Sequence, residues 1–132
     1  MIFGVGHDVI EIERVAAVLT RRGERFASRV LGPRELVVYE RRRLRSAQRG
    51  VAFLATRFAA KEAISKAVGL GMRFPMTWRS VEIVNEPSGR PSAVANGQFA
   101  AFLDGKRLRL HVSVTDIANL AVAHAVAETV DG

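Results

Sequence analysis

The longest helix-compatible stretch of the chain, from about Ser46 to Gly69, contains Ala52, Ala55, Ala59, Ala60 and Ala63. Side chains this small leave much of the helix surface bare, so a neighbouring backbone or a ligand can come close. Val51, Leu54, Phe58 and Ile64, with Ala67 and Val68, supply a core stripe, and Gly69 and Gly71 supply the stop. Near the N-terminus, Ile2 to Ile12 mixes β-branched residues with Gly4 and Gly6. It reads as a strand whose middle admits another backbone at short range. Alternation puts Asp8, Ile10 and Ile12 on one face of that strand and His7, Val9 and Glu11 on the other.

The remaining elements follow from changes of period. Val15, Val18 and Leu19 predict a short helix ending near Gly23; Phe26, Val30 and Leu31 predict another before Gly32-Pro33. "PRELVVYERRRLR" predicts a third, with Pro33 in its first turn. After a loop around Arg73 to Met76, "WRSVEIV" and "PSAVA" read as strands separated by the turn "NEPSGRP". "NGQFAAFLDGK" predicts a helix beginning at Asn96, and "LRLHVSVTD" with "LAVAHAVAE" predicts a hairpin joined near Ile117 to Asn119. One strand, then several helices, then mostly strands favours an α+β fold over a doubly wound one. A chain of 132 residues accommodates one core, so residues 1–132 are expected to form a single domain.

Composition narrows the function. No cysteine is present, which excludes disulfides, thiolate metal sites and thiol nucleophiles. The N-terminal apolar run lacks a basic flank and is broken by His7 and Asp8, so neither a secretory signal nor a membrane span is expected, and the expected location is the cytoplasm. The net charge of +7 is unevenly spread: between Arg14 and Arg57 stand twelve arginines against three glutamates. Such a field steers polyanions, whether nucleic acid, anionic membrane, a phosphorylated ligand or an acidic protein.

Three stretches hold polar groups in apolar settings. Asp8 sits within a strand. Glu62 and Lys66 lie four residues apart in "RFAAKEAISKAVG", a spacing that an exposed helical ion pair worth about 0.2–0.5 kcal/mol would also explain. Glu62, however, is one turn from Phe58 and close to Ala55 and Ala59, so its face need not be wholly solvated. "HVSVTD" places His111, Ser113 and Thr115 on one strand face and Val112 and Val114 on the other. Walker loops, HExxH motifs and GxSxG elbows are all missing. Asp8 and Glu62 together suit Mg²⁺, which takes one or two carboxylates and completes its shell with water and phosphate oxygens. Lys66 then suits a phosphate as a point charge.

Taken in order, "GVGHDVIEIERV", "FLATRFAAKEAISKAVG" and "HVSVTDIANLAVAHAVAE" resemble the bacterial holo-[acyl-carrier-protein] synthase family, the small 4′-phosphopantetheinyl transferases, nearly end to end. The resemblance implies transfer of the phosphopantetheine arm from coenzyme A to a serine of apo acyl carrier protein, with Mg²⁺ as cofactor and a role in fatty acid biosynthesis. It implies Asp8 and Glu62 as metal ligands and Lys66 beside the transferred phosphate. By the same resemblance Arg57, Lys66, Gly69, Gly71, Gly89, Arg90, Pro91, Ser113 and Thr115 contact coenzyme A. A homotrimer with active sites between subunits is implied too. "SVTDI" departs from the family's "SITHT" or "SLSHT", so Asp116 replaces a histidine, and Leu70 replaces the threonine of a "GTG" turn.

The basic stretch then has an acidic partner in the carrier protein, with Arg14, Arg21, Arg25 and Arg29 against its acidic helix and Phe26 as an apolar anchor. Two other readings compete with transfer. One is a small nucleic-acid-binding module, which the charge favours but the lack of interleaved aromatics opposes. The other is a coenzyme A binder without catalysis. The acceptor of the serine proton stays open between Glu62 and a water at the metal.

Overall fold

The computed structural model of the chain describes residues 1–131; Gly132, the last residue of the expected domain, lies outside the described residues. The elements in chain order are β1 (Ile2–Glu11), α1 (Ile12–Arg22), α2 (Glu24–Val30), α3 (Pro33–Arg45) and α4 (Ala47–Ala67). They continue with β2 (Val81–Asn85), β3 (Pro91–Ala95), α5 (Gly97–Gly105), β4 (Leu108–Ile117) and β5 (Leu120–Thr129). This is the expected α+β order, and local chemistry sets its boundaries. The Ser46 hydroxyl accepts from the Arg49 backbone N–H at 3.4 Å to open α4. Gly69, at φ +80°, follows the last residues of that helix as a left-handed stop.

Two antiparallel sheets form. In the larger, β5 lies between β1 and β4; in the smaller, β2 pairs with β3. The β1–β5 register opposes Gly4 to Ala127, Gly6 to Ala125, Asp8 to Ala123 and Ile10 to Ala121. One face of the sheet is thereby paved with small residues, and α4 lies on it. A Cβ added at Gly4 would overlap the carbonyl oxygen of Ala67, and one at Gly6 that of Ala63. Strand backbone and helix backbone therefore touch at the two glycines, which is why the alanine-rich helix and the glycine-bearing strand need each other.

The expected stripe on α4 understates its burial. Besides Leu54, Ile64 and Ala67, the helix buries Phe53, Thr56, Arg57, Lys61 and Ser65. The reason is position: the sheet covers one side of α4, α3 packs on another, and β2 on a third. One core cluster joins α4 to Met76, Val81, Ile83, Phe99 and the β5 alanines. The second joins α4 to Val15 of α1, Val30 of α2 and Tyr39 of α3.

Candidate active site

Asp8 shares the inner face of β1 with Gly4 and Gly6, and Glu62 and Lys66 occupy successive turns of α4. The glycine contact that lays β1 on α4 therefore carries Asp8 to the helix. Lys66 Nζ donates to Asp8 Oδ1 at 3.4 Å and to the His7 carbonyl oxygen at 3.1 Å. Its ammonium reaches across to the strand, and among the described ion pairs it has none with Glu62. The four-residue spacing thus encodes a meeting with a third residue, more than an exposed helical pair.

Glu62 is half-buried, and its carboxyl is held above the usual range, first by burial and then by the negative charge of Asp8, with Lys66 opposing. Two carboxylates facing one ammonium leave a surplus negative charge in a partly dehydrated corner. A hard divalent cation relieves that repulsion, and the donor set is all oxygen, so these residues fit Mg²⁺. Among the described residues no group of three or more potential metal-holding side chains occurs.

Lys61, adjacent to Glu62, has the opposite environment. Its side chain is 0% exposed, as is that of Glu35. The Lys61 ammonium donates to Glu35 Oε1 at 2.7 Å, to the Trp78 carbonyl at 2.8 Å and to the Val30 carbonyl, so its three protons are all engaged. Glu35 also accepts from the Gly32 and Ile83 backbone N–H groups at 2.9 and 2.8 Å. Burial pulls the lysine below its ordinary range and Glu35 offsets this in part. The sequence pattern did not distinguish this buried lysine from an exposed one; its place amid "FAAKEA" was the available signal.

The chain also carries two basic concavities, neither of them lined by Asp8, Glu62 or Lys66. A cleft of about 560 Å³ is lined by Arg41, Arg42, Arg45, Arg49 and Arg57, with Thr115 and Asp116 at the end of β4. Arg57 is largely buried in it: Nε donates to the Ile83 carbonyl at 3.3 Å, and the guanidinium lies 4.2 Å from the Phe53 ring centroid. Burial lowers the pKa of this arginine. A cleft of this size holds an organic ligand, and its charge selects an anion. Four of its arginines were absent from the expected contacts, although the run "ERRRLRSAQR" marked them as a charge block. The second concavity, lined by Val18, Arg21, Arg22, Arg25, Phe26, Arg29, Val30 and Trp78, brings together four of the five residues expected to meet an acidic partner. Arg14 lies on a shallower depression shared with Arg21. Trp78, which stacks on Phe58 with centroids 4.6 Å apart, was not expected there.

Other expected contacts fall elsewhere. Gly69 and Gly71 form the turn after α4, where the Gly71 N–H donates to the Ser65 carbonyl at 3.1 Å. Gly89 and Arg90 are exposed in the β2–β3 turn, and Pro91 begins β3. Ser113 lies on the outer sheet face opposite His124, whose ring is 5.9 Å from that of His7. None of these residues lines either basic concavity of the single chain. His111 is paired with Glu128 Oε1 at 2.9 Å.

Residues 4–125 match the family described as the 4′-phosphopantetheinyl transferase superfamily. A holo-[acyl-carrier-protein] synthase of Cupriavidus taiwanensis is 59% identical over 128 residues, covering 97% of this chain and 91% of the relative. The crystal structure of the Neisseria meningitidis holo-[acyl-carrier-protein] synthase superposes with a TM-score of 0.90 at 33% identity, covering 98% of this chain and 100% of that one. A Bacillus anthracis holo-(acyl-carrier-protein) synthase, solved in complex with CoA (3′,5′-ADP), gives 0.82 at 32% identity over 98% and 99% of the two chains. Sequence match and fold agree over nearly the whole length, and the chain belongs to the 4′-phosphopantetheinyl transferase superfamily, among its holo-[acyl-carrier-protein] synthases.

Proposed function

We propose that this enzyme transfers the 4′-phosphopantetheine arm of coenzyme A to a serine hydroxyl of apo acyl carrier protein, releasing adenosine 3′,5′-bisphosphate. The observation that carries the reading is the convergence of Asp8, Glu62 and Lys66 from a strand and a helix more than fifty residues apart in sequence. The names of its relatives and the coenzyme A complex of the Bacillus anthracis protein support the same chemistry.

The serine oxygen forms a new bond to the phosphorus of the arm while the bridging P–O bond of the pyrophosphate breaks. Lys66, 52% exposed at its side chain, points a charged donor into solvent-accessible space where the phosphoryl oxygens gather charge. Glu62 accepts the serine proton; without a bound cation, burial and then the charge of Asp8 hold its carboxyl above the usual range. Asp8 and Glu62 would also hold Mg²⁺, which when bound supplies charge neutralisation at the pyrophosphate and the leaving oxygen. The arginine cleft takes the nucleotide phosphates of coenzyme A, with Arg57 and Thr115 in its wall. Gly69, Gly71, Gly89, Arg90, Pro91 and Ser113 complete the contacts in the homotrimer that the family resemblance implies, where a neighbouring copy adds to each site. Arg14, Arg21, Arg25, Phe26 and Arg29 receive the acidic carrier protein.

No helix among the described residues is long and apolar enough to cross a membrane. A cytoplasmic role in fatty acid biosynthesis completes the reading. The test is incubation with coenzyme A, Mg²⁺ and apo carrier protein, followed by intact-mass spectrometry. The carrier should gain one phosphopantetheine, and omission of Mg²⁺ should abolish the gain. Coenzyme A binding without any change of carrier mass would replace this reading with that of a non-catalytic binder.

A further inference from the structure

The buried lysine beside Glu62 takes no part in the chemistry above, yet its partners are not scattered. Two of its three acceptors are the main-chain carbonyls of Val30 and Trp78, and both residues line the arginine-rich groove assigned to the carrier protein. The third, Glu35, fastens the start of α3 and the middle of β2 through Gly32 and Ile83. Glu82 of β2 tightens the same corner, accepting from the Arg34 backbone N–H at 2.8 Å and Arg34 Nε at 3.0 Å. Arg79, next to Trp78, donates from Nε to the Leu31 carbonyl at 3.0 Å, joining the two groove walls to each other. On α4, Phe58 supports the Trp78 ring one turn before Glu62, and Lys66 follows one turn after it.

The geometry points to Lys61 as a positioning residue that fixes the carrier-docking groove relative to Glu62 and Lys66, with Arg79 as a second fastening of the same two walls. This rests on the transferase reading above. The physical ground is the demand of a two-protein transfer: the docked serine must arrive within bonding distance of a phosphorus held elsewhere. A displacement of about 1 Å costs on the order of 100-fold in rate. A fully engaged ammonium in a water-free site is a stiff joint, because each of its bonds would have to be broken without solvent to replace it. The coenzyme A cleft meets the joint only where Arg57 donates to the Ile83 carbonyl, so it should sense the joint weakly.

The test separates positioning from stability. The double variant Lys61→Met/Glu35→Gln removes the joint without leaving an unpaired buried charge. Steady-state kinetics on folded protein should show a carrier kcat/KM lowered at least fivefold in the double variant, with the coenzyme A KM within twofold of wild type. Arg79→Ala, which disturbs no buried charge, should lower the carrier kcat/KM about two- to threefold and keeps the proposal testable if the double variant does not fold. Trp78 is the single tryptophan, so its fluorescence titrates carrier docking independently of turnover. A folded double variant, or Arg79→Ala, with unchanged carrier kcat/KM overturns the inference. Wild-type protein that fails to modify the carrier overturns the transferase reading itself, which is a separate result.

Discussion

Lys61 and Lys66 stand five residues apart on one helix and solve opposite problems. Lys61 is closed off from water and meets a carboxylate and two carbonyls; Lys66 is 52% exposed and meets Asp8 loosely at 3.4 Å. The first arrangement leaves no donor free and no room for a ligand. The second keeps charge at a surface that a phosphate can reach, and it sits beside a carboxylate whose protonation is already perturbed. Full satisfaction marks the lysine that holds the fold, and incomplete satisfaction marks the one available for chemistry.

The largest effect that sharpens this contrast is on turnover. Glu62→Gln should lower the rate about 10²–10⁴-fold, the usual worth of a general base. Lys66→Ala should lower it about 10²–10³-fold, the range for one lost electrostatic donor. Both are read by carrier mass after a fixed time; rates within threefold of wild type would move the reacting site elsewhere. Next comes stability. Lys61→Met should cost about 3–5 kcal/mol in urea denaturation because it leaves Glu35 charged and unpaired. Lys66→Met should cost less than about 1 kcal/mol, as expected for an exposed pair. Equal costs would break the contrast.

Gly6→Ala tests the contact that delivers Asp8. Its new methyl would collide with the Ala63 carbonyl and crowd the Ala67 nitrogen, so overpacking should cost about 1–3 kcal/mol and depress turnover as Asp8 shifts. Gly105→Ala has nothing within 4 Å of the added carbon and serves as the control.

The smallest effect is a pH dependence of Tm. Glu62 has a folded-state pKa above its unfolded value, so its contribution to stability is complete below the unfolded pKa and is lost as pH rises through the folded one. Glu62→Gln should therefore melt slightly above wild type at neutral pH, and the gap should close as pH falls below about 4. Adding Mg²⁺ should raise the wild-type Tm and not that of Glu62→Gln. A variant that melts below wild type at neutral pH without Mg²⁺ would contradict the burial and repulsion assigned to this carboxylate.

Most element boundaries were legible because they rest on local chemistry: Gly23 between α1 and α2, Pro33 at the head of α3, Ser46 at the head of α4 and Gly69 after it. The facing of Asp8 was legible for the same reason, since alternation along a strand is a local rule. The site was legible only as separate candidates. Resemblance to a known family linked Asp8 with Glu62 and Lys66; spacing did not. The arginine cleft showed itself as charge without shape, and Trp78 gave no sign of its place beside Phe26 and Arg29 in the second concavity.

Residue order alone thus determined which segments coil or extend, where each stops and which side chains share a face, because those outcomes depend on neighbours a few residues away. Tertiary packing alone decided that Lys61 is sealed in while Lys66 is open, and that Asp8 comes to rest beside both Lys66 and Glu62. The physical reason is that burial and long-range charge depend on what crosses a helix in space. Here that crossing is set by two glycines of β1 seated on the backbone of α4.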